Sequence, residues 1–394
     1  MQKKLLPAIA LFMLASQAIG LEVMNDGTSK VNIGGYLSLQ TKTADGRTKV
    51  NNDSARINFA FEHSLNEAMA GFALVEWGYK AKNEYTITNN AGVLETKTAE
   101  LFVNRLAYVG VKHSEYGSAA FGKQKSVYSD ISGWTDQCAI NGGNAVGLCN
   151  GITSDGGFSG TASRSDDAIS YRIELGSMKL GAQYQLRDSN YNESLNKTPI
   201  DGGARRNYGY QVAASYTFDM GLSLGATYSE TSLEAKISTA SSPKGINSRA
   251  IAGGVKYIMD DLYLAATCVQ FQNYTTTHAS SPTGNVDNFG LDKKSEGFEL
   301  FGRYKLSQLL DGGISLQASW NKLKVDEDNT SSGNTSSDAK IDKIMVGAVY
   351  ELGPLRFALE YVLNNSKFYE GTVNNVKTYK DGDDYCSLQA RYSF

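Results

Sequence analysis

The chain has 394 residues with 38 basic and 41 acidic side chains, a formal charge of −3. So mild a balance argues against a nucleic-acid partner. Hydrophobic residues make up 41% and charged ones 20%, yet beyond the first twenty residues no run approaches the ~18 apolar residues of a membrane-crossing helix.

In chain order, "MQKKLLPAIALFMLASQAIG" comes first. Lys3 and Lys4 charge its start, Leu5 to Ala15 form a short apolar stretch, and Ala18 and Gly20 supply small residues before a cut. It reads as a secretory signal, residues 1–20, which leaves an exported domain of residues 21–394 with 36 basic against 41 acidic side chains. No linker, charge block or low-complexity tract divides that remainder, and 40 Gly against 5 Pro point to many turns.

From there on the pattern has a period of two. "ARINFAFEH" sorts Ile57, Phe59 and Phe61 from Arg56, Asn58, Ala60 and Glu62. "RSDDAISYRIEL" sorts Ile169, Tyr171, Ile173 and Leu175 from Arg164, Asp166, Ala168, Ser170, Arg172 and Glu174. "LRFALEYVLNN" and the final "DDYCSLQARYSF" behave alike, and the last puts Cys386, Leu388, Ala390, Tyr392 and Phe394 on one face. Alternation of this kind is the signature of strands with one wet and one apolar face.

Sixteen such segments start near residues 30, 53, 69, 99, 118, 163, 178, 205, 221, 247, 262, 295, 313, 339, 354 and 380. Short connections such as "GS" (176–177) and "MDD" (259–261) alternate with long polar ones near 42–52, 83–98, 127–162, 189–204, 236–246, 275–294, 326–338 and 369–379. The four prolines of the exported part, Pro199, Pro243, Pro282 and Pro354, fall in these connections. A soluble sandwich has no reason to sort its connections into short at one end and long at the other. An outer-membrane barrel does. The expectation is an all-β fold, a 16-stranded antiparallel transmembrane β-barrel with short periplasmic turns and long outside loops. Lipid would be the partner of its apolar face.

"VNRLAYVGVKHSEYGSAAFGKQKSVYSDISGWTD" (Val103 to Asp136) closely resembles the fourth and fifth strands of the general diffusion porins of Gram-negative bacteria. "ARINFAFE" resembles their second strand, and the ending Tyr392-Ser393-Phe394 resembles their terminal aromatic signature. The resemblance implies a homotrimer of aqueous pores in the outer membrane, passing ions and small hydrophilic solutes by passive diffusion. It also implies a third outside loop folded inward as the constriction, and a terminal aromatic, Tyr392 and Phe394, that guides assembly. Matched position by position, Arg56, Arg105 and Arg164 would line the pore opposite that loop. Loop 127–162, the longest, carries Asp130, Asp136 and Asp155 and no Lys or Arg. Its "QCAINGGNAVGLCNG" departs from the acidic stretch usual in the family, and only Asp136 is clearly in register.

The same loop holds Cys138 and Cys149. In an oxidising compartment a disulfide is the leading reading, two free thiols the alternative. Zinc is disfavoured because His63, His113 and His278 all lie elsewhere, so no metal is expected and nothing calls for a cofactor. Cys268 and Cys386 read as small apolar strand residues.

A barrel enzyme would need a nucleophile, a base and an orienting group, and three scattered His with no nucleophile elbow do not supply them. Adhesion or reception through the long loops remains open as a secondary role. A substrate-specific channel would need a lumenal aromatic track or a dense basic ladder. Lumen-facing aromatics read as sparse, with Tyr385 one of them, so this alternative ranks second.

Overall fold

The computed structural model describes residues 20–44, 46–52, 54–79, 84–88, 94–98, 102–149, 163–188, 192–195, 198–235, 244–275, 291–306, 312–327, 338–373 and 376–394. The expected signal segment falls outside them except for Gly20.

Sixteen strands form the wall. They are β1 (Ser29–Ala44), β2 (Arg47–Asn52 continued by Arg56–Ser64), β3 (Met69–Tyr79), β4 (Phe102–His113), β5 (Gly117–Lys125) and β6 (Arg164–Leu175). β7 (Met178–Gln185), β8 (Thr198–Thr217), β9 (Leu222–Ala235), β10 (Lys244–Met259) and β11 (Leu262–Gln272) follow. β12 (Lys294–Leu306), β13 (Gly313–Glu327), β14 (Lys340–Leu352), β15 (Leu355–Asn364) and β16 (Tyr385–Ser393) complete it. Each pairs antiparallel with the next, and β16 returns to β1 from Tyr36↔Ser393 to Thr43↔Cys386. Closure matters because an open sheet edge would leave backbone N–H and C=O groups unsatisfied in hydrocarbon. All sixteen expected segments are present.

The period of two fixes which face meets what. On β15, Leu355, Phe357, Leu359, Tyr361 and Leu363 are 38–52% exposed on the outside, while Ala358, Glu360 and Val362 are 0–1% exposed on the inside. Cys386 has the outward parity expected of it, and Cys268 also shares the outward parity of its strand.

The short turns lie at one end, among them 65–68, 176–177, 260–261 and 353–354. Four of the expected long loops, 42–52, 83–98, 189–204 and 369–379, hold paired strand. Residues 42–52 belong to a tight hairpin in which Thr41 pairs with Val50 and Ala44 with Arg47. Its polar residues misled the reading, because a strand standing clear of the membrane is polar on both faces. Pro199 is likewise not in a loop but in the first residues of β8, opposite Ser194, at the end of an outer extension where a missing N–H costs little.

The seam between β16 and β1 is finished by the last residue. Phe394 and Gly35 exchange both backbone hydrogen bonds, each 3.0 Å, and the Phe394 ring lies 3.1 Å from where a Cβ on Gly35 would be. Gly35 has φ +157 and also faces the Arg56 carbonyl, so a side chain there would displace backbone. Removing Phe394 should therefore lower the yield of assembled barrel and the temperature at which it unfolds. Heat-modifiable migration on gels reads both, and an unchanged midpoint would show that the seam does not depend on this residue.

Candidate functional site: the waist of the barrel

After Lys125 the chain turns into the barrel instead of outward. Loop 3 begins with a short helix, α1 (Ser129–Ser132), laid against β8, β9 and β10. From there it crosses the inner wall and is anchored strand by strand. The Val127 and Tyr128 N–H groups donate to Gln183 (3.3 Å, β7) and Gln211 (2.7 Å, β8). The Tyr263 hydroxyl of β11 donates to the Trp134 carbonyl (2.8 Å). The Thr135 hydroxyl and the Ala145 N–H both donate to Glu299 of β12, at 2.8 and 2.7 Å. The Asn144 N–H donates to Asn321 of β13 (3.2 Å), and Lys343 of β14 to the Asn144 side chain (3.1 Å). Asn141 donates to Glu360 of β15, while Arg356 (2.7 Å) and Gln389 of β16 (3.1 Å) donate to the Ala139 carbonyl.

The wall is cut to receive the loop. A Cβ on Gly225 or Gly254 would meet Ile131 or Trp134 within 2.5–3.2 Å, and one on Gly297 would overlap the Ala145 carbonyl. Further out, Ala145, Val146 and Leu148 pack with Leu233, Val269, Phe271, Leu323 and Ile341 into a dry cluster. The loop is thus laid along ten of the sixteen strands, β7 to β16. The wall of β1 to β6 stands opposite.

That other wall is basic. Arg56 and Arg105 converge on Glu76 of β3, at 3.6 and 2.8 Å. Arg56 and Arg391 both lie over the ring of Tyr36, their guanidinium carbons 4.8 and 3.9 Å from its centre. Lys125, opposite Arg164 in the β5–β6 ladder, is within the electrostatic reach of Arg164, Arg56, Arg105 and Glu76.

The expected residues fall as follows. Arg56, Arg105 and Arg164 lie in one neighbourhood, around Lys125 and Glu76. Arg164 arrives there through a β-bulge between Ser165 and Ala168, which breaks the alternation that had put Arg164, Asp166 and Ala168 on one face. The bulge turns Asp166 and Asp167 to Arg206, a wholly buried cation on β8, at 2.8 and 3.1 Å. Asp130 does not face the three arginines. Both its oxygens accept from Arg172, at 2.8 and 3.2 Å. Asp136 lies against Gly142 and Gly143 of its own loop, with Lys125 the cation that acts on it. Asp155 lies outside the described residues.

Cys138 and Cys149 are thiols and not a disulfide. Cys138 packs beside Met345, Val362 and Tyr385, where burial and then the Glu360 carboxylate push its thiol up and keep it protonated. The inward aromatics are not sparse either. Tyr36, Tyr108, Tyr263, Phe271 and Phe301 face the inside with Tyr385, several of them against loop 3 or a cation. Glu76, Lys125, Arg172 and Arg391 escaped the reading. Each sits on the polar face of an alternating strand or at its inner end, but alternation alone marks every lumen residue equally.

Burial pushes the Asp136 carboxyl up against the pull of Lys125, and pushes Asp130 up against Arg172. Both therefore take up protons at a higher pH than a free carboxyl, which titrates near about 3.9. As pH falls from 7 the loop loses negative charge early, and the reversal potential in a salt gradient should move toward anions. A potential flat down to about pH 4 would show that these carboxyls do not act on the pore.

A profile of the Gram-negative porin family matches residues 5–393. The chain is 25% identical to outer membrane porin N of Escherichia coli over 99% of its length and 98% of that protein's. In fold it matches Salmonella typhi OmpF, solved in complex with daunomycin, with a TM-score of 0.68 at 20% identity, over 95% of this chain and all of the other. It matches the trimer form of OmpT from Vibrio cholerae with a TM-score of 0.63 at 15% identity, over 93% of this chain and 100% of that one. With the closed sixteen-stranded wall and the inward loop, these findings make the chain a member of the Gram-negative porin family, an outer-membrane channel for passive diffusion.

Proposed function

We propose that solutes pass between loop 3 and the β16–β6 wall, and that this waist alone sets what passes. The anchoring of loop 3 to β7 through β16 carries the reading, because it commits one side of the lumen to structure and leaves the other to transport. Arg56, Arg105 and Arg164 line the passage on one side and Asp136 faces them from the loop. Asp130, held by Arg172, acts as a pin for α1. Ions and small hydrophilic solutes are the cargo, lipid covers the apolar outer face, and the working unit is a trimer, as the OmpT form is. The channel does no chemistry of its own.

Purified protein in planar bilayers should conduct in ohmic steps that scale with salt and are not saturated by added sugars. Saturation at low sugar concentration would favour the substrate-specific alternative. The number of inward aromatics keeps that alternative in play. Unboiled samples that migrate as monomers after mild extraction would count against the trimer.

A further inference from the structure

Charge around and along the passage is unevenly held. Acidic side chains on the inner face are mostly committed: Glu62 to Lys112, Glu76 to Arg105 and Arg56, Asp130 to Arg172, and Glu299 and Glu360 to loop 3. Others point outward, such as Glu230 with Arg249 and Glu234 with Arg205. The cations differ. Lys42 lies 3.6 Å from the ring centre of Tyr385, Arg56 and Arg391 lie over Tyr36, Lys256 lies 4.8 Å from Trp134 and Arg303 5.6 Å from Tyr263. A carboxylate cancels the charge it positions. A ring face holds a cation through its quadrupole without itself cancelling the charge, although Arg56 also shares Glu76.

These ring-seated cations lie at several heights of the barrel, with Lys256 and Arg303 on the loop 3 side. Lys42 belongs to the outer part of β1, Tyr36 to its middle, and the Arg303–Tyr263 pair to the turn ends of β12 and β11. Around the waist, Arg56, Arg105, Lys125, Arg164, Arg172, Lys343, Arg356 and Arg391 stand against Glu76, Asp130, Asp136, Glu299 and Glu360 among the described residues. Granting Asp155 its full charge as well leaves the cations in excess.

We infer that this channel prefers anions, and that its favoured cargo is small inorganic and organic acids such as chloride, phosphate and short carboxylates. The inference rests on the reading of the chain as a diffusion channel. The net negative charge of the whole chain does not oppose it, since ions in the passage sense the fixed charges within about 10 Å at 0.1 M salt. Each kT of positive potential there enriches anions and depletes cations by a factor of about 2.7 each, so one kT gives a ratio of about seven.

The test is the reversal potential of the full chain in a planar bilayer across a potassium chloride gradient near 0.1 M, repeated with potassium acetate. Chloride should exceed potassium several-fold, and acetate should stay ahead of potassium. Arg56→Gln with Arg391→Gln should lower the ratio at least twofold, and Arg303→Gln, away from the seam, should lower it less. Lys322→Gln, on the outer face over Trp320, should leave it unchanged. A parent channel that conducts but favours potassium, or shows no preference, overturns the inference and leaves the diffusion channel standing. A correctly assembled barrel that carries no current overturns the channel reading itself.

Discussion

Leu359→Arg should cost the barrel about 2–4 kcal/mol in a refolding titration. Leu359 is near the middle of the ten-residue β15 and 52% exposed on its outer face, so the guanidinium would sit near the hydrocarbon midplane. Its neighbour Glu360 points the other way, is 1% exposed and is hydrogen-bonded to Asn141 and Gln317. Leu363→Arg, at the outer end of the same strand, should cost only about 0–1 kcal/mol because an arginine there reaches the headgroups. Equal losses at the two positions would mean that the outer face of β15 does not contact lipid.

Gly297→Val should push loop 3 off the wall and into the passage. A Cβ at Gly297 would overlap the Ala145 carbonyl and crowd Val269, and the atom in the way is backbone. The loop must shift there, and the Ala145 N–H to Glu299 bond (2.7 Å) goes with it. Two losses follow: a hydrogen bond to a charged group, worth about 1.5–3 kcal/mol, and part of the dry cluster behind the loop. The barrel wall should survive, because its ladders do not run through loop 3. Single-channel conductance should fall, because the loop is displaced from β12 toward the passage. Unaltered conductance in a variant that assembles normally would show that the loop is not the constriction.

The wall was legible because its rule is local. One residue in two must be apolar, as in Leu355 to Leu363, and a chain shows that without reference to anything distant. The bulge at Asp166 and Asp167 was not legible, since one inserted residue in a polar stretch changes no composition. Nor were the charge partners. Arg172 and Asp130 are 42 positions apart and meet only because the loop doubles back into the barrel. The three arginines were found through the family resemblance, and the sequence around them did not show that Glu76 would bind two of them. The cysteine pair misled for a different reason: the oxidising compartment permits a bond, but pairing is decided by where each sulfur packs.

The anchors of loop 3 also set an order of events. Its partners lie downstream in the chain, from Gln183, 56 positions after Val127, to Gln389, 250 positions after Ala139. Contacts so distant in sequence form slowly, because chain entropy must be surrendered before they return anything. The loop cannot find its path until the second half of the wall exists. Selectivity is therefore a late property of this protein, acquired after the cylinder itself, and a barrel halted early would be an indiscriminate hole.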